Sequence, residues 1–165
     1  MRKLSCIILV FVTLLSCKGD GSDAQNTADG ELPFSYQKMP KKLAMNSEAT
    51  TLVEEWAEFK ALSSSLDVLY KARNNEDLIL AIDDLIEKEK LLEKAVYPEL
   101  FDKMQIKSRQ RVFKTYLLKV KASILNNRDS TEPTIEMLEA YNAFRKQFNV
   151  LVNSQLDKNL ILNEE

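Results

Sequence analysis

The stretch "NNEDLILAIDDLIEKEKLLEKAVYP", residues 74–98, states the architecture of the chain most clearly. Its apolar residues Leu78, Ile82, Leu85, Ile86, Leu92 and Val96 recur at steps of three and four, with acids and lysines filling most positions between. That period is the mark of an amphipathic helix; a half-buried strand would alternate every second residue. Asn74 and Asn75 suit the close of one helix and the cap of the next, and Glu76 and Asp77 complement the positive helix start. Pro98 sets the far limit, because the residue before a proline is pushed out of helical geometry.

The same period recurs on both sides. Asn46 or Ser47 is expected to cap a first helix whose stripe, Leu52, Trp56, Phe59, Leu62, Leu66 and Leu69, runs unbroken toward Arg73. After the connection 97–105, where Tyr97, Leu100 and Phe101 are expected to cover one end of the core, Ile106, Phe113, Leu117, Val120 and Ile124 define a third helix. It should fray at Asn126 and Asn127. The fourth starts at Ser130 or Thr131, accepts Pro133 in its first turn, and repeats Ile135, Leu138, Tyr141, Phe148 and Val152.

Four amphipathic helices with short connections must bury their stripes against one another. The expectation is an all-α fold, an antiparallel up-down four-helix bundle over residues 47–155, followed by a tail, 156–165, containing the apolar "LIL". Two chains that exchange segments to complete one bundle are the alternative, and the oligomeric state is left open. No fixed-period repeat points to a solenoid.

The chain upstream has a different composition. All three glycines, Gly19, Gly21 and Gly30, precede residue 31, and residues 18–32 are small, polar and acidic. Such a segment buries too little apolar surface to offset the entropy of ordering, so 17–46 is expected to act as a flexible linker, with Phe34 and Tyr36 able to dock on the domain. Before it lie Arg2 and Lys3, an apolar run from Leu4 to Leu15, and the small residue Ser16 preceding Cys17. This is the layout of a secretion signal over residues 1–16, and the apolar run is shorter than the roughly 20 residues a transmembrane helix needs.

The order Leu14, Leu15, Ser16, Cys17 resembles the lipobox of bacterial lipoproteins. The resemblance implies cleavage between Ser16 and Cys17 and attachment of diacylglycerol to the Cys17 thiol, with a further acyl chain such as palmitate on the new amino group. Each buried methylene contributes about 0.8 kcal/mol of membrane affinity, so two or three chains hold the protein on its membrane. Lys18 stands where aspartate marks retention at the inner membrane, and the resemblance therefore implies the outer membrane. "CKGDGSD", residues 17–23, is also similar to the lysine-plus-acid export signals of surface lipoproteins in Bacteroidota, so periplasmic-facing and surface-exposed positions both stand. Cys6 leaves with the signal, and the mature chain then has no second thiol for a disulfide.

Much chemistry is excluded by composition. The chain has no histidine, which removes imidazole-based triads, histidine zinc and haem sites, and the Glu-x-x-His pairs of di-metal bundles. No glycine-rich phosphate loop follows residue 30. The carboxylate sets Glu54, Glu55, Glu58 and Asp83, Asp84, Glu87 fall on helix faces opposite the core stripe and read as solvated surface. Neither metal nor cofactor is expected, and no catalytic residue. The layout is similar to periplasmic four-helix proteins, b-type cytochromes and helical stress adaptors among them, but no motif of either is present.

One asymmetry stands out. From Lys103 to Arg128 there are eight basic residues and no acid, whereas Glu76 to Asp102 holds nine acids against three lysines. At 100° per residue Lys107, Arg111, Lys114 and Lys121 share an arc of about 80° beside the apolar arc. They pair with the acids of the second helix, or they receive an anionic partner, with Leu118 and Leu125 inside the same stripe. Nucleic acid is not that partner, since the chain is net −2 and becomes more acidic once Arg2 and Lys3 are removed. Two functions are carried forward: a non-enzymatic, membrane-anchored envelope lipoprotein that binds a protein partner through these four residues, and a bundle holding an apolar small molecule near Trp56 and Phe59.

Overall fold

The structure, a computed structural model, describes the backbone of residues 31–162 and the side chains of 31–155. Among the described residues there are five helices and no strand: α1 (Ser47–Glu54), α2 (Ala57–Leu69), α3 (Asn75–Lys94), α4 (Met104–Leu125) and α5 (Thr131–Leu162). A 3₁₀ turn, Tyr36–Lys38, precedes them. No described helix is long and apolar enough to cross a membrane.

Residues 75–94 form α3. Asn74 caps it, its Oδ1 accepting the Asp77 N–H at 2.7 Å. The helix ends at Lys94, earlier than the apolar spacing suggests: Ala95 turns extended, and Val96, expected on the core stripe, is 91% exposed. The turn away from helix begins ahead of Pro98 and frees Tyr97 to pack its ring 4.8 Å from that of Trp56. At the end of α4, Asn127 takes φ 51°, with the Asn127 N–H bonded to the Ile124 carbonyl and the Arg128 N–H to that of Ser123. That is the two-bond helix stop usually made with glycine, here made with asparagine in a segment that has none.

The expected first helix is broken in two. Trp56 adopts φ −92°, ψ 94°, separating α1 from α2. The break contains neither glycine nor proline; Trp56 is buried there, its ring packed against those of Phe59, Tyr97 and Phe148. Thr50 and Thr51 bond back to the carbonyls of Asn46 and Ser47, which weakens and bends a helix. Glu54 and Glu55 oppose the negative helix end that the break creates, but Glu58 gains a place in the first turn of α2.

Residues 31–46 lie along the helices, and the linker expected to reach residue 46 is corrected over that span. Glu31 bridges Asn74, the Leu32 N–H reaches the Arg73 carbonyl at 3.3 Å, Met39 is buried, and the Tyr70 hydroxyl donates to the Pro40 carbonyl at 2.8 Å. At the other end α5 continues through Leu162, so the helix does not stop at the expected tail boundary of 155.

Consecutive helices α2–α3, α3–α4 and α4–α5 pack together, and α1 touches α2 and α5. Cross-helix pairs run in opposite senses along the chain, as in Glu93–Lys114 and Asp83–Lys121 between α3 and α4, or Phe113–Tyr141 and Lys119–Glu136 between α4 and α5. Among the described residues no Cα of α2 lies within 8 Å of one in α5. Aromatic side chains fill that gap. Phe59 of α2 sits edge-on to Phe148 and Phe144 of α5, at 5.0 and 5.7 Å between ring centroids, and parallel to Tyr141 at 6.5 Å.

Candidate functional site

The basic stripe of α4 is built on the flank that packs against α3, and α3 answers it with acids. Lys114 Nζ lies 2.5 Å from Glu93 Oε2, Lys121 Nζ 2.7 Å from Asp83 Oδ1, and Lys107 Nζ 2.5 Å from Asp102 Oδ1 and 5.1 Å from the centre of the Tyr97 ring. Three of the four candidate partner-binding residues are thereby engaged within the chain. Arg111 is the exception. Its guanidinium bonds to the Lys107 carbonyl and the Met104 sulfur; among the described residues no carboxylate lies within 4 Å of it, although its charge helps hold Glu93 low.

With Lys114 and Lys121 drawn toward α3, the outward face of α4 keeps Lys107, paired with Asp102, and Arg111 as its charges. Met104, Ser108, Thr115, Leu118, Ala122 and Leu125 are exposed and fall within an arc of about 100°, with Arg111 in its middle. The large residues recur at sevenfold spacing and the small ones lie between them, a ridge-and-groove pattern suited to another helix.

On the flank of α4 that faces α3 lies a buried polar cluster that the charge count alone does not reveal. Glu89 is fully buried on α3; its Oε1 accepts from Gln110 Nε2 at 3.1 Å, and Gln110 Oε1 accepts from the Tyr97 hydroxyl. Glu89 Oε2 lies 3.3 Å from Lys114 Nζ but takes no aligned hydrogen bond. Burial pushes the Glu89 carboxyl up from its usual value, opposed by the Gln110 bond and the Lys114 charge. The hydrogen bond from Lys114 holds Glu93 low, and the Glu93 bond raises Lys114. The sequence carried a signal for this cluster: Glu89 stands seven residues after Ile82 and three before Leu92, on the core arc itself.

Trp56 and Phe59, the candidates for an apolar pocket, are brought together, with ring centroids 5.7 Å apart and nearly parallel. Both are buried among Tyr97, Phe148, Phe144 and Tyr141. A groove of about 460 Å³ adjoins them, yet its lining is polar or charged for the most part, Tyr97, Asp102, Lys107, Gln110 and Arg111 included, without Trp56 or Phe59.

A second constellation escapes a search for charge or aromatic motifs. Asn142, Arg145, Asn149 and Asn153 form one stripe of α5, and they hold the main chain of 41–46. Asn142 Oδ1 accepts the Leu43 N–H and its Nδ2 donates to the Lys41 carbonyl, both at 2.8 Å. Arg145 Nε donates to the Leu43 carbonyl at 2.6 Å; Asn149 Oδ1 accepts the Asn46 N–H at 2.9 Å, and its Nδ2 reaches the Ala44 carbonyl at 3.4 Å. Asn46 Nδ2 completes the ladder on Asn153 at 3.0 Å. The spacing matches: five steps of extended chain and eleven residues of helix each span about 17 Å. Spacings of three and four among amides mark such a stripe in sequence, but nothing local says what it will bind.

Set against family models, characterised proteins and solved structures, the chain matches none. No group of His, Cys, Asp and Glu able to hold a metal occurs among the described residues. Ser16 and Cys17, the expected cleavage and lipidation positions, lie outside them.

Proposed function

We propose that the chain is a membrane-anchored envelope lipoprotein of non-enzymatic type, whose helical domain binds another protein. One observation carries the location: Leu14, Leu15, Ser16 and Cys17 close an apolar run that opens on Arg2 and Lys3 and gives way at once to Lys18 and Gly19. Residues 1–16 are removed, lipid on Cys17 holds the protein in the outer membrane, on its periplasmic face or outside, and residues 18–30 join that anchor to the domain. The helices are arranged as an up-down four-helix bundle, α2 to α5, with α1 and residues 31–46 laid across it. The antiparallel sense of the α3–α4 and α4–α5 pairs supports that arrangement.

The partner surface is the outer face of α4, supported by charge complementarity. Lys107, Lys114 and Lys121 already have carboxylates, while Arg111 stands without one among the described residues, amid exposed Met104, Leu118 and Leu125. The partner presents apolar side chains with a carboxylate placed for Arg111. The aromatic packing around Trp56 gives no support to the second reading, an apolar small-molecule site.

Cell fractionation tests the anchor: the wild-type chain should pellet with membranes, and Cys17→Ser should not. A photo-crosslinking side chain at Thr115 tests the surface. Arg111→Glu should lower capture of the wild-type partner about tenfold, the worth of one charge-assisted hydrogen bond. Equal capture would rule this face out as the partner surface.

A further inference from the structure

The break between α1 and α2 and the amide ladder of α5 together imply a second form of the protein. We infer that residues 31–54 exchange between two copies of this chain, each copy's segment lying on the other's α5 ladder, with Glu55–Trp56 as the hinge.

The hinge comes first. The sequence 47–69 holds neither glycine nor proline, and its apolar stripe runs through the break. Glu55 is already helical at φ −79°, ψ −15°, and the Trp56 φ of −92° lies at the edge of the helical range. Only the Trp56 ψ, at 94°, departs from the helical value of about −42°. One torsion therefore separates the broken helix from a continuous one. In the broken form the Trp56 N–H reaches the Val53 carbonyl at 3.2 Å, a tight 3₁₀-like bond. Straightening lets the N–H groups of Ala57, Glu58 and Phe59 bond to the carbonyls of Val53, Glu54 and Glu55, groups that a helix end otherwise leaves to solvent.

A straight helix over 47–69 extends about 35 Å and carries residues 31–46 away from their own α5. The ladder is then vacant. What it recognises is main chain: the Lys41, Leu43 and Ala44 carbonyls and the Leu43 and Asn46 N–H groups. Arg145 is nine-tenths buried, and among the described residues its guanidinium has no carboxylate, so an empty ladder leaves a charged donor without its acceptor. The same segment of a second copy satisfies every one of these groups identically. It also brings Lys42 to Asp67, paired at 2.5 Å, and Met39 to its buried seat. Contacts outside the hinge are retained, the Trp56–Val53 bond is exchanged for helical ones, and concentration decides between the forms.

The test uses the protein purified from its membrane in detergent, with residues 17–165 expected after removal of the signal and Cys6 with it. Sedimentation over a concentration series should show a dimer that grows as the protein is concentrated. Isotopically heavy and light copies, unfolded and refolded together, should give carbodiimide crosslinks between Lys42 and Asp67 that join heavy to light in the dimer fraction and never in the monomer. Ala57→Pro discriminates further. Ala57 is exposed at the first position of α2, where proline fits, and Trp56 before it already has the extended geometry that proline imposes. In a continuous helix the same proline removes a bond and clashes, about a hundredfold for each of the dimer's two hinges, so the association constant should fall on the order of ten-thousandfold while the monomer folds normally. Exchange is overturned by a chain that stays monomeric when concentrated, by dimers whose Lys42–Asp67 crosslinks are all within one copy, or by a dimer that Ala57→Pro leaves unchanged.

Discussion

Phe59→Ala is expected to destabilise the domain by about 4 kcal/mol, close to half the stability of a typical small domain. The magnitude follows from position. Phe59 is 1% exposed, and its ring meets Trp56, Tyr141, Phe144 and Phe148. It is also the aromatic bridge between α2 and α5, whose backbones stay apart, so the lost volume is not easily recovered by collapse. Edge-on ring pairs add to the loss beyond area alone. Urea unfolding followed by circular dichroism measures it, with Val150→Ala, at a 47% exposed site, as the control expected within about 0.5 kcal/mol of wild type. A loss below about 1.5 kcal/mol would mean that the α2–α5 contact is made some other way.

The second large effect is electrostatic. Lys114→Met should cost about 3 kcal/mol at pH 7, because it leaves the buried Glu89 carboxylate with Gln110 alone. The pH dependence fixes the cause. Burial already raises the Glu89 carboxyl above its unfolded value, and removing the Lys114 charge raises it further. A group raised in the folded state favours folding when protonated; that contribution is complete below the unfolded value near 4.5 and fades as pH rises through the folded one. The deficit of Lys114→Met should therefore shrink as pH falls from 7 toward 5. Glu93 has the opposite sign, being held low, so acid weakens the wild-type Lys114 pair as it relieves the variant. Adding Glu89→Gln to Lys114→Met should restore most of the stability at pH 7, since the amide is neutral and can still bond Gln110. A deficit independent of pH, or unrelieved by Glu89→Gln, would assign the loss to packing of the lysine stem.

The helices were legible because burial imposes a period: Leu78, Ile82 and Leu85, Phe113, Leu117 and Val120, or Leu138, Tyr141 and Phe148 are buried as their spacing requires. What the period cannot register is a local break that preserves it. Ala49, Val53, Trp56 and Phe59 are all buried across the interruption between α1 and α2, so the stripe looks the same whether the backbone is straight or turned at Trp56. Residues 31–46 were illegible for a different reason. They carry apolar residues, Leu32, Phe34, Tyr36 and Met39 among them, at no helical or strand period, and what orders their backbone is a set of amides about a hundred residues away on α5. The charge asymmetry could be counted in the sequence, but its partners are a matter of register. Lys114 and Lys121 fall opposite Glu93 and Asp83 only because α3 and α4 run in opposite directions. That register leaves Arg111 as the residue to test for a partner.

Location is measured by the intact mass of the protein purified in detergent from the envelope of the cells that make it. The expected species begins at Cys17 and is heavier than residues 17–165 by a diacylglycerol and, where the amino group is also acylated, a further fatty acid. A mass that retains Met1, or one that fits an unmodified chain beginning anywhere else, would contradict a lipid anchor at Cys17.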